Sequence, residues 1–206
     1  MDFERARQYA LGQLERELSP RLVYHSLIHT RDDVVKAVER LAAMEGVRGE
    51  DWTILLTAAY YHDVGFVLLG DDQYQGNQHE ALSYEFAAQV LPKYGYRFER
   101  IQVIRGIILA TCLPQTPRTL LEEIMADADL DSLGREDFWE RASALRAEQA
   151  AFGTTYTELE WYRGQKEFLG NHTYFTRAAR RLRDAQKERN LAEVIQRLEI
   201  LEIKIR

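Results

Sequence analysis

Cysteine, proline and glycine are all scarce in this sequence of 206 residues, which has one cysteine, four prolines and 12 glycines. The single cysteine, Cys112, excludes a disulfide within the chain and fits the reducing conditions of the cytoplasm. Because helix-breaking residues are few, long segments run uninterrupted, and they carry apolar residues at three- and four-residue spacing. No alternating run is long enough to predict a strand. The sequence therefore predicts an all-α fold.

The sequence also lacks an excess of basic residues and any long apolar run. Its 27 lysines and arginines against 33 aspartates and glutamates give a net charge of −6, so we expect no nucleic-acid partner. No run approaches the ~20 apolar residues of a membrane-spanning helix, and no charged-then-apolar leader opens the chain. We therefore expect a soluble, cytoplasmic protein with no membrane partner. Hydrophobic residues make up 46%, enough for a single domain over residues 1–206.

Histidines and aspartates stand near the ends of predicted helices. The doublet His62-Asp63 closes an apolar run that begins at Trp52. Burying adjacent histidine and aspartate costs free energy unless each finds a partner, and a divalent metal is such a partner. Upstream, His25 and His29 are four residues apart on one helix face, so both can reach one site; the alternative is one solvent-facing histidine and one core histidine with its own partner. These residues are candidates for a metal site.

A cluster of three aspartates, Asp127, Asp129 and Asp131, ends a predicted helix over residues 118–132. A purely structural explanation is less natural, because a helix C-terminus disfavours negative charge. At ~100° per residue, Asp127 lies near the edge of the apolar stripe and Asp129 points roughly the opposite way. Periodicity therefore favours Asp127 as the residue that faces a buried site.

The order of these residues resembles the H…HD…D pattern of the HD-domain metal-dependent phosphohydrolases. It is most similar to small stand-alone bacterial proteins described as predicted HD phosphohydrolases, over roughly residues 20–183. The segments that carry the resemblance are Tyr24-His25, His29, His62-Asp63, His79-Glu80 with Ser83, Ile107-Ile108-Leu109-Ala110-Thr111, and residues 127–135. The resemblance implies an HD-domain helical bundle in which helices two, three and six meet at a metal.

The resemblance further implies a ligand set of His29, His62, Asp63 and one downstream aspartate. Related sequences place the last ligand after an alanine and shortly before a leucine or Leu-Gly, which selects Asp129. We therefore expect Asp129 as the fourth ligand and keep Asp127 as the alternative. Many family members carry a further histidine after the fifth helix, where this chain has Thr111-Cys112-Leu113, so we expect one ion. Its identity (Mn, Fe, Ni, Co, Zn or Mg) stays open.

Catalytic roles also follow from the resemblance. Asp63 would orient the attacking water, and His25 matches the position that protonates the leaving oxygen in related cyclic-nucleotide phosphodiesterases. In the family, the residue corresponding to His79 often lines the same cavity, as a second-metal ligand or a phosphate contact. The structural alternative is that His79-Glu80 is a polar pair at a helix N-terminus.

Two cations further along the chain, Arg146 and Lys166, are candidate phosphate contacts on helices predicted at residues 137–151 and 155–169, with solvated charges as the alternative. The implied partner is a small phosphorylated substrate, a nucleotide or another phosphate ester, cleaved by metal-activated water. One alternative is a non-catalytic HD-fold sensor of nucleotides or other ligands, or an interaction module. Another is a di-iron HD oxygenase, which needs more histidines than the pattern supplies.

Two segments extend beyond the motifs. Residues 66–78 have the composition of a loop, which beside the doublet suggests a lid or a substrate rim. Residues 173–206 are rich in charge and end in regularly spaced apolar residues, so we expect a helix that packs on the domain or forms a homodimer.

Overall fold

The computed structural model describes residues 1–69 and 78–205, and within them the predicted all-α fold is confirmed. The α-helices in chain order are α1 (Phe3–Glu17), α2 (Val35–Met44), α3 (Gly49–Tyr61), α4 (His79–Val90), α5 (Phe98–Leu109), α6 (Leu120–Asp129), α7 (Phe138–Ala151), α8 (Glu158–Asn171) and α9 (Arg177–Ile205). Shorter turns are a π-helical turn at His29–Val34 and 3₁₀ turns at Val64–Val67, Leu91–Tyr94 and Asp131–Gly134.

Local chemistry explains where the helices begin. Asp2 caps α1, because its carboxylate accepts the Arg5 amide, and Thr157 forms a capping box with Glu160 at the start of α8. The sequence predicts that helix α6 begins at residue 118, but the structure corrects this. Thr119 Oγ1 accepts the Glu122 amide at 3.3 Å, so α6 begins later than predicted.

The second helical segment covers residues 27–44, yet its first part is not an ordinary α-helix. Residues His29–Val34 form the π-helical turn, which accommodates more residues per turn than an α-helix. The regular helix α2 then buries Val38 and Leu41 completely. The π-helical turn therefore separates the histidine end of the segment from its core-facing end.

Two apolar clusters hold the helices together. The larger one joins α1 to α6, with the beginning of α9, and includes Leu55, Ile104 and Ile124. The smaller one lies among α7, α8 and α9 and includes Phe138 and Trp161. Helices α2, α3 and α6 pack on one another, as the sequence predicts for helices two, three and six. This packing brings the ends of three separate segments to one place.

Helix α9 packs along α8, the 3₁₀ turn Asp131–Gly134, α2 and α6, and it buries Val194 and Leu198. It therefore serves as a packing helix, while the homodimer and the single domain over residues 1–206 stay predictions. Among the residues that the structure describes, no helix has both the length and the apolar character to cross a bilayer. Residues 70–77 of the predicted loop 66–78 lie outside the described residues. The lid or substrate rim therefore stays a prediction.

Candidate functional site

Two histidines and two aspartates converge at the wall of a cavity. His29 Nε2 lies 3.3 Å from Asp129 Oδ1, and His62 Nε2 lies 3.5 Å from the same oxygen. Asp63 Oδ2 is 3.6 Å from His29 Nε2 and 3.2 Å from His62 Nε2. Each of the two ring nitrogens thus faces one oxygen of Asp63 and one of Asp129.

These separations fit the spacing of ligands around a metal ion. Ligands about 2.0–2.2 Å from an ion lie about 2.8–3.6 Å apart at adjacent corners of an octahedron or a tetrahedron. His29 Nε2, His62 Nε2 and Asp63 Oδ2 are buried and have no hydrogen-bond partner among the described residues. Leaving buried polar atoms unpaired costs free energy, which an ion among them would offset. His29, His62 and Asp129 can therefore hold a metal, and Asp63 lies beside them.

The local backbone orients both imidazole rings. His62 caps the C-terminus of α3, and its Nδ1 is 2.8 Å from the Ala59 carbonyl oxygen. Because that oxygen only accepts, Nδ1 must carry the proton, and the Nε2 lone pair is left for the carboxylate side. His29 opens the π-helical turn, and its ring packs against Tyr24 with the ring centroids 5.0 Å apart. π-helical turns occur often at functional sites, and here the turn places His29 towards the two aspartates.

The chain after the His62-Asp63 doublet runs directly against α4. The Gly65 amide donates to Ser83 Oγ at 2.7 Å. A Cβ at Gly65 would overlap the His79 carbonyl oxygen and lie 2.7 Å from the Ser83 nitrogen, so this close approach requires glycine. The contact brings the N-terminus of α4, with His79, beside Asp63.

The two aspartates favour a positive charge beside them, whether on an imidazole ring or on a bound ion. Burial acts to lower the pKa of His62, but the Asp63 and Asp129 carboxylates outweigh burial and raise that pKa well above its ordinary value. Burial acts to raise the pKa of both carboxyl groups, yet the neighbouring imidazoles hold the pKa of Asp63 and of Asp129 well below the usual range. Both aspartates are therefore anionic, as metal ligands must be.

A second histidine–carboxylate pair lies next to this group. His25 Nδ1 is 2.5 Å from Glu148 Oε1, and Glu148 Oε2 accepts the backbone amides of Tyr24 and His25 at 2.8 and 2.9 Å. The Glu148 side chain is fully buried. Burial acts to lower the pKa of His25, but the hydrogen bond to Glu148, together with the negative charges of Glu148, Asp63 and Asp129, outweighs burial and the pKa is raised. His25 lines the cavity, so its imidazolium can donate a proton there.

His79 lies between the Asp63 carboxylate and the ring of Phe66. It stacks on Phe66 with centroids 4.1 Å apart, and its Nε2 is 3.5 Å from Asp63 Oδ1. Burial lowers the pKa of His79 to about 4, so the ring is neutral at physiological pH. The adjacent Glu80 is also buried, and burial raises its pKa to about 7.

The cavity has a volume of about 460 Å³ and two chemically different walls. The charged wall is formed by His25, Asp63, His79, Glu80 and Asp129. The neutral wall is formed by the 3₁₀ turn after α6, by α7 and α8, and by the connection between those two helices. Its residues are Leu133, Leu145, Gln149, Thr154, Tyr156, Gln165 and Phe168.

Asp127, the alternative ligand, has a structural role, and the interpretation based on periodicity is corrected. Its Oδ1 accepts the Phe175 amide at 2.8 Å, and its Oδ2 accepts the Thr176 amide and hydroxyl at 2.8 and 2.7 Å. Periodicity indicates correctly that Asp127 faces inward, but the interior it faces is the start of α9. Its carboxylate therefore fastens α6 to α9.

The predicted phosphate contacts Arg146 and Lys166 do not line the cavity, and this prediction is also corrected. The Arg146 guanidinium donates to the Tyr156 carbonyl oxygen at 2.7 Å and lies over the Trp161 ring. Lys166 is exposed. The residues of α7 and α8 that face the cavity are their neighbours, among them Gln149 and Gln165, because helix rotation points Arg146 and Lys166 elsewhere.

The sequence reasoning missed Glu148, which contacts His25, and Gln149, which lines the cavity. A signal for Glu148 does exist, since it continues the apolar stripe of Phe138, Ala142 and Leu145 at three- and four-residue spacing. An acidic residue on such a stripe is buried, and a buried carboxylate requires a partner. No comparable signal marks Gln149, whose neighbours in sequence are ordinary helix formers.

Comparison with known proteins gives a family match over the part of the chain that contains His29, His62, Asp63 and Asp129. A family model described as HD domain matches residues 27–132. An uncharacterized protein from Clostridium beijerinckii is 35% identical over 86 residues, which are 41% of this chain and 51% of that protein. The chain thus spans about half the length of the curated relative it matches. No solved structure matches significantly.

Proposed function

Since the chain belongs to the HD-domain family, we propose that it is a metal-dependent phosphohydrolase that cleaves a small phosphate ester with activated water. The HD domain implies the superfamily of metal-dependent phosphohydrolases, whose members are usually hydrolases. The observation that carries the proposal is that the Nε2 atoms of His29 and His62 each lie 3.2–3.6 Å from one oxygen of Asp63 and one of Asp129. Their unpaired buried nitrogens support a metal, since hydrogen bonding alone leaves them unsatisfied.

A divalent ion held by these four side chains would supply a water acidic enough to attack phosphorus near neutral pH and would neutralise charge on the phosphoryl group. A shell of imidazole and carboxylate suits several first-row metals, so the donor set alone selects none of them. The protein contributes the geometry, because each donor is fixed by its position at or beside a helix end or in the π-helical turn.

Asp63 has two distinct oxygens in the proposed mechanism. Its Oδ2 faces His29 and His62, while its Oδ1 lies 3.5 Å from His79 Nε2. Because its pKa lies well below the usual range, Asp63 stays anionic and orients water by accepting a hydrogen bond. His79, which is neutral, is the proposed contact for a phosphoryl oxygen.

His25 is the proposed general acid. The departing oxygen of a phosphate ester needs a proton, and a histidine supplies it well when it is protonated at working pH. Glu148 favours that state by raising the pKa of His25, and it fixes the ring through Nδ1. We therefore assign His25 the transfer of a proton to the leaving group and Glu148 the positioning of His25.

The experiment combines metal analysis with turnover. Purified protein is stripped with a chelator, reloaded separately with Mn, Fe, Ni, Co, Zn or Mg, and assayed for phosphate release from a panel of phosphate esters. We expect one bound ion per chain and metal-dependent release that the chelator abolishes. Stoichiometric metal without turnover of any ester would instead favour a ligand sensor, and oxygen consumption with two ions would favour an oxygenase.

A further inference from the structure

Helix α7 contacts the histidine segment, residues 21–33, through polar side chains at two places on one helix face. In the first turn of α7, Arg141 Nη2 donates to Asp33 Oδ1 at 3.2 Å and lies 3.0 Å from Asp33 Oδ2. Further along the helix, Glu148 accepts two backbone amides of the histidine segment and holds His25 Nδ1. Seven residues make almost two complete turns, so Arg141 and Glu148 project from the same face, roughly 10 Å apart along the axis.

Apolar packing does not fix α7 against the histidine segment. Within the part of the chain that the structure describes, the larger apolar cluster includes no residue of α7. Phe138 and Ala142 are buried instead in the smaller cluster, with α8 and α9. Hydrophobic burial is non-directional, whereas an ion pair between a guanidinium and a carboxylate sets both distance and orientation. The placement of α7 beside the histidines therefore depends on its polar contacts.

These polar contacts are distributed unevenly along α7. In its C-terminal half, the contact of Glu148 is joined by Arg21, whose guanidinium donates to the Ala151 carbonyl oxygen. In its N-terminal half, Arg141 supplies the polar contact to the histidine segment among the described residues. Without Arg141, α7 would be held to that segment at one end, and the helix could tilt about Glu148.

Asp33 is a firm anchor for this contact. Its side chain is 12% exposed and belongs to the π-helical turn that begins at His29. Arg135 Nη1 also donates to Asp33 Oδ1 at 2.8 Å, and the Asp137 carboxylate accepts from both arginines. Solvent and salt screen such a partly buried network less than an exposed ion pair. The network therefore connects the turn that carries a candidate metal ligand with the helix that carries Glu148.

We propose that Arg141, through its ion pair with Asp33, is a positioning residue that holds α7 so that Glu148 can orient His25 for proton transfer. This rests on the proposed phosphohydrolase function and adds to it a residue that does not line the cavity. In the reaction, the water oxygen bonds to phosphorus, the ester P–O bond breaks, and His25 gives its proton to the departing oxygen. Rates respond steeply to small displacements of a catalytic group, so loss of Arg141 weakens this proton transfer while the metal donors stay in place.

The first experiment uses the leaving group to report on proton transfer. Metal-loaded native protein and Arg141→Gln are assayed with 4-nitrophenyl phosphate, whose leaving group departs readily without a proton, and with benzyl phosphate, whose alkoxide needs one. We expect Arg141→Gln to lower kcat for benzyl phosphate about five- to tenfold more than kcat for 4-nitrophenyl phosphate.

Arg183→Gln is the matched control. Arg183 is about as shielded as Arg141, with 19% against 24% of the side chain exposed, and it holds Asp131 from α9 without contacting α7. The ratio of the two kcat values should stay at the native level in this variant. An equal loss with both esters in Arg141→Gln would show a general structural defect and overturn the proposal, while the phosphohydrolase function stands. Failure of the native chain to release phosphate from any ester would overturn the function itself, and the proposal with it.

A second readout needs no turnover. In chelator-treated protein with isotope-labelled histidine, the ring-nitrogen NMR signals of His25 are those that disappear in His25→Gln. We expect these signals to shift in Arg141→Gln, because the contact between the ring and Glu148 changes, and to keep their native positions in Arg183→Gln. Native His25 signals in Arg141→Gln would overturn the proposal whatever the turnover of that variant.

Discussion

The two walls of the cavity come from different parts of the chain and are held by different means. The metal-binding candidates of the charged wall lie within residues 27–132, the segment that the family model matches, whereas the neutral wall comes from residues 133–168. Fixed neighbours hold the two histidines that contact the charged wall: the Ala59 carbonyl orients His62, and the π-helical turn places His29. The neutral wall combines positions of α7 and α8 with a 3₁₀ turn and a connection, and it includes an unpaired amide oxygen.

This difference teaches that reaction and selectivity can vary separately in such a chain. Under the proposed function, a change among the charged residues should remove activity, because they surround the same proposed metal. A change in the neutral wall should leave those residues in place and alter which molecule fits the cavity. The predictions below test this division, from the largest expected effect to the smallest.

The largest effect is expected for Asp63→Asn. The substitution keeps the size of the side chain but removes a charged donor, so we expect phosphate release to fall about 10³-fold or more. The helical fold should persist, because the change also removes a buried negative charge. Turnover assays, metal analysis and circular dichroism check this. Activity near that of the native chain would place the reaction outside the charged wall.

The pair Asp129→Asn and Asp127→Asn separates a ligand from a structural carboxylate. Asp129→Asn should lose bound metal with little loss of stability. Asp127→Asn should keep the metal but lose about 1–3 kcal/mol of unfolding free energy, because its acceptors for Phe175 and Thr176 are compromised. Metal content and denaturant unfolding give both quantities. The reversed pattern would contradict the geometry described above.

Glu148→Gln should lower kcat about 10- to 100-fold, less than loss of a candidate ligand, since it weakens proton donation without removing the metal donors. The pH dependence gives a sharper test. His25 acts when protonated, so activity falls as pH rises through its pKa, which Glu148 raises. In the variant this fall should begin at lower pH. A profile of kcat/KM against pH that does not move would leave Glu148 with a structural role only.

The sequence predicted the fold and the charged wall better than the neutral wall, and the reason lies in the kind of residue. His62-Asp63 is chemically unusual at a helix end, Asp129 is selected only through the resemblance to the HD-domain family, and helix periodicity alone predicts the all-α fold. Asp127 shows the limit of periodicity, which reports that a side chain faces inward but not which partner it meets. Which residues of α7 and α8 face the cavity and which face solvent depends on how those helices are rotated relative to α6. Local sequence does not determine that rotation.

The smallest effect concerns the end of α8, in the part of the chain that carries the neutral wall. Burial, with Lys187 adding to it, lowers the pKa of His172 from 6.5 to about 4. The folded state therefore holds His172 neutral, and the unfolded chain binds the proton first as pH falls. This contribution is complete above pH 6.5 and is lost towards pH 4.

His172→Gln should accordingly flatten the fall in thermal stability between pH 6.5 and 4. The difference from the native chain should be on the order of 1 kcal/mol, because solvent screens this partly exposed site. Melting curves at a series of pH values measure it, with a high-pH pair as the control. If both proteins lose stability in parallel, groups elsewhere account for the acid sensitivity.

The π-helical turn His29–Val34 makes the chain sensitive to length at one particular place. One extra residue within a turn rotates every later side chain by about 100° relative to those before it. His29 can thus point towards Asp129 while Val38 and Leu41 remain in the core. A one-residue deletion at the exposed Asp32 would return the segment to ordinary helical winding and turn one of these two sets away. The segment between residues 29 and 35 should therefore tolerate substitutions far better than insertions or deletions.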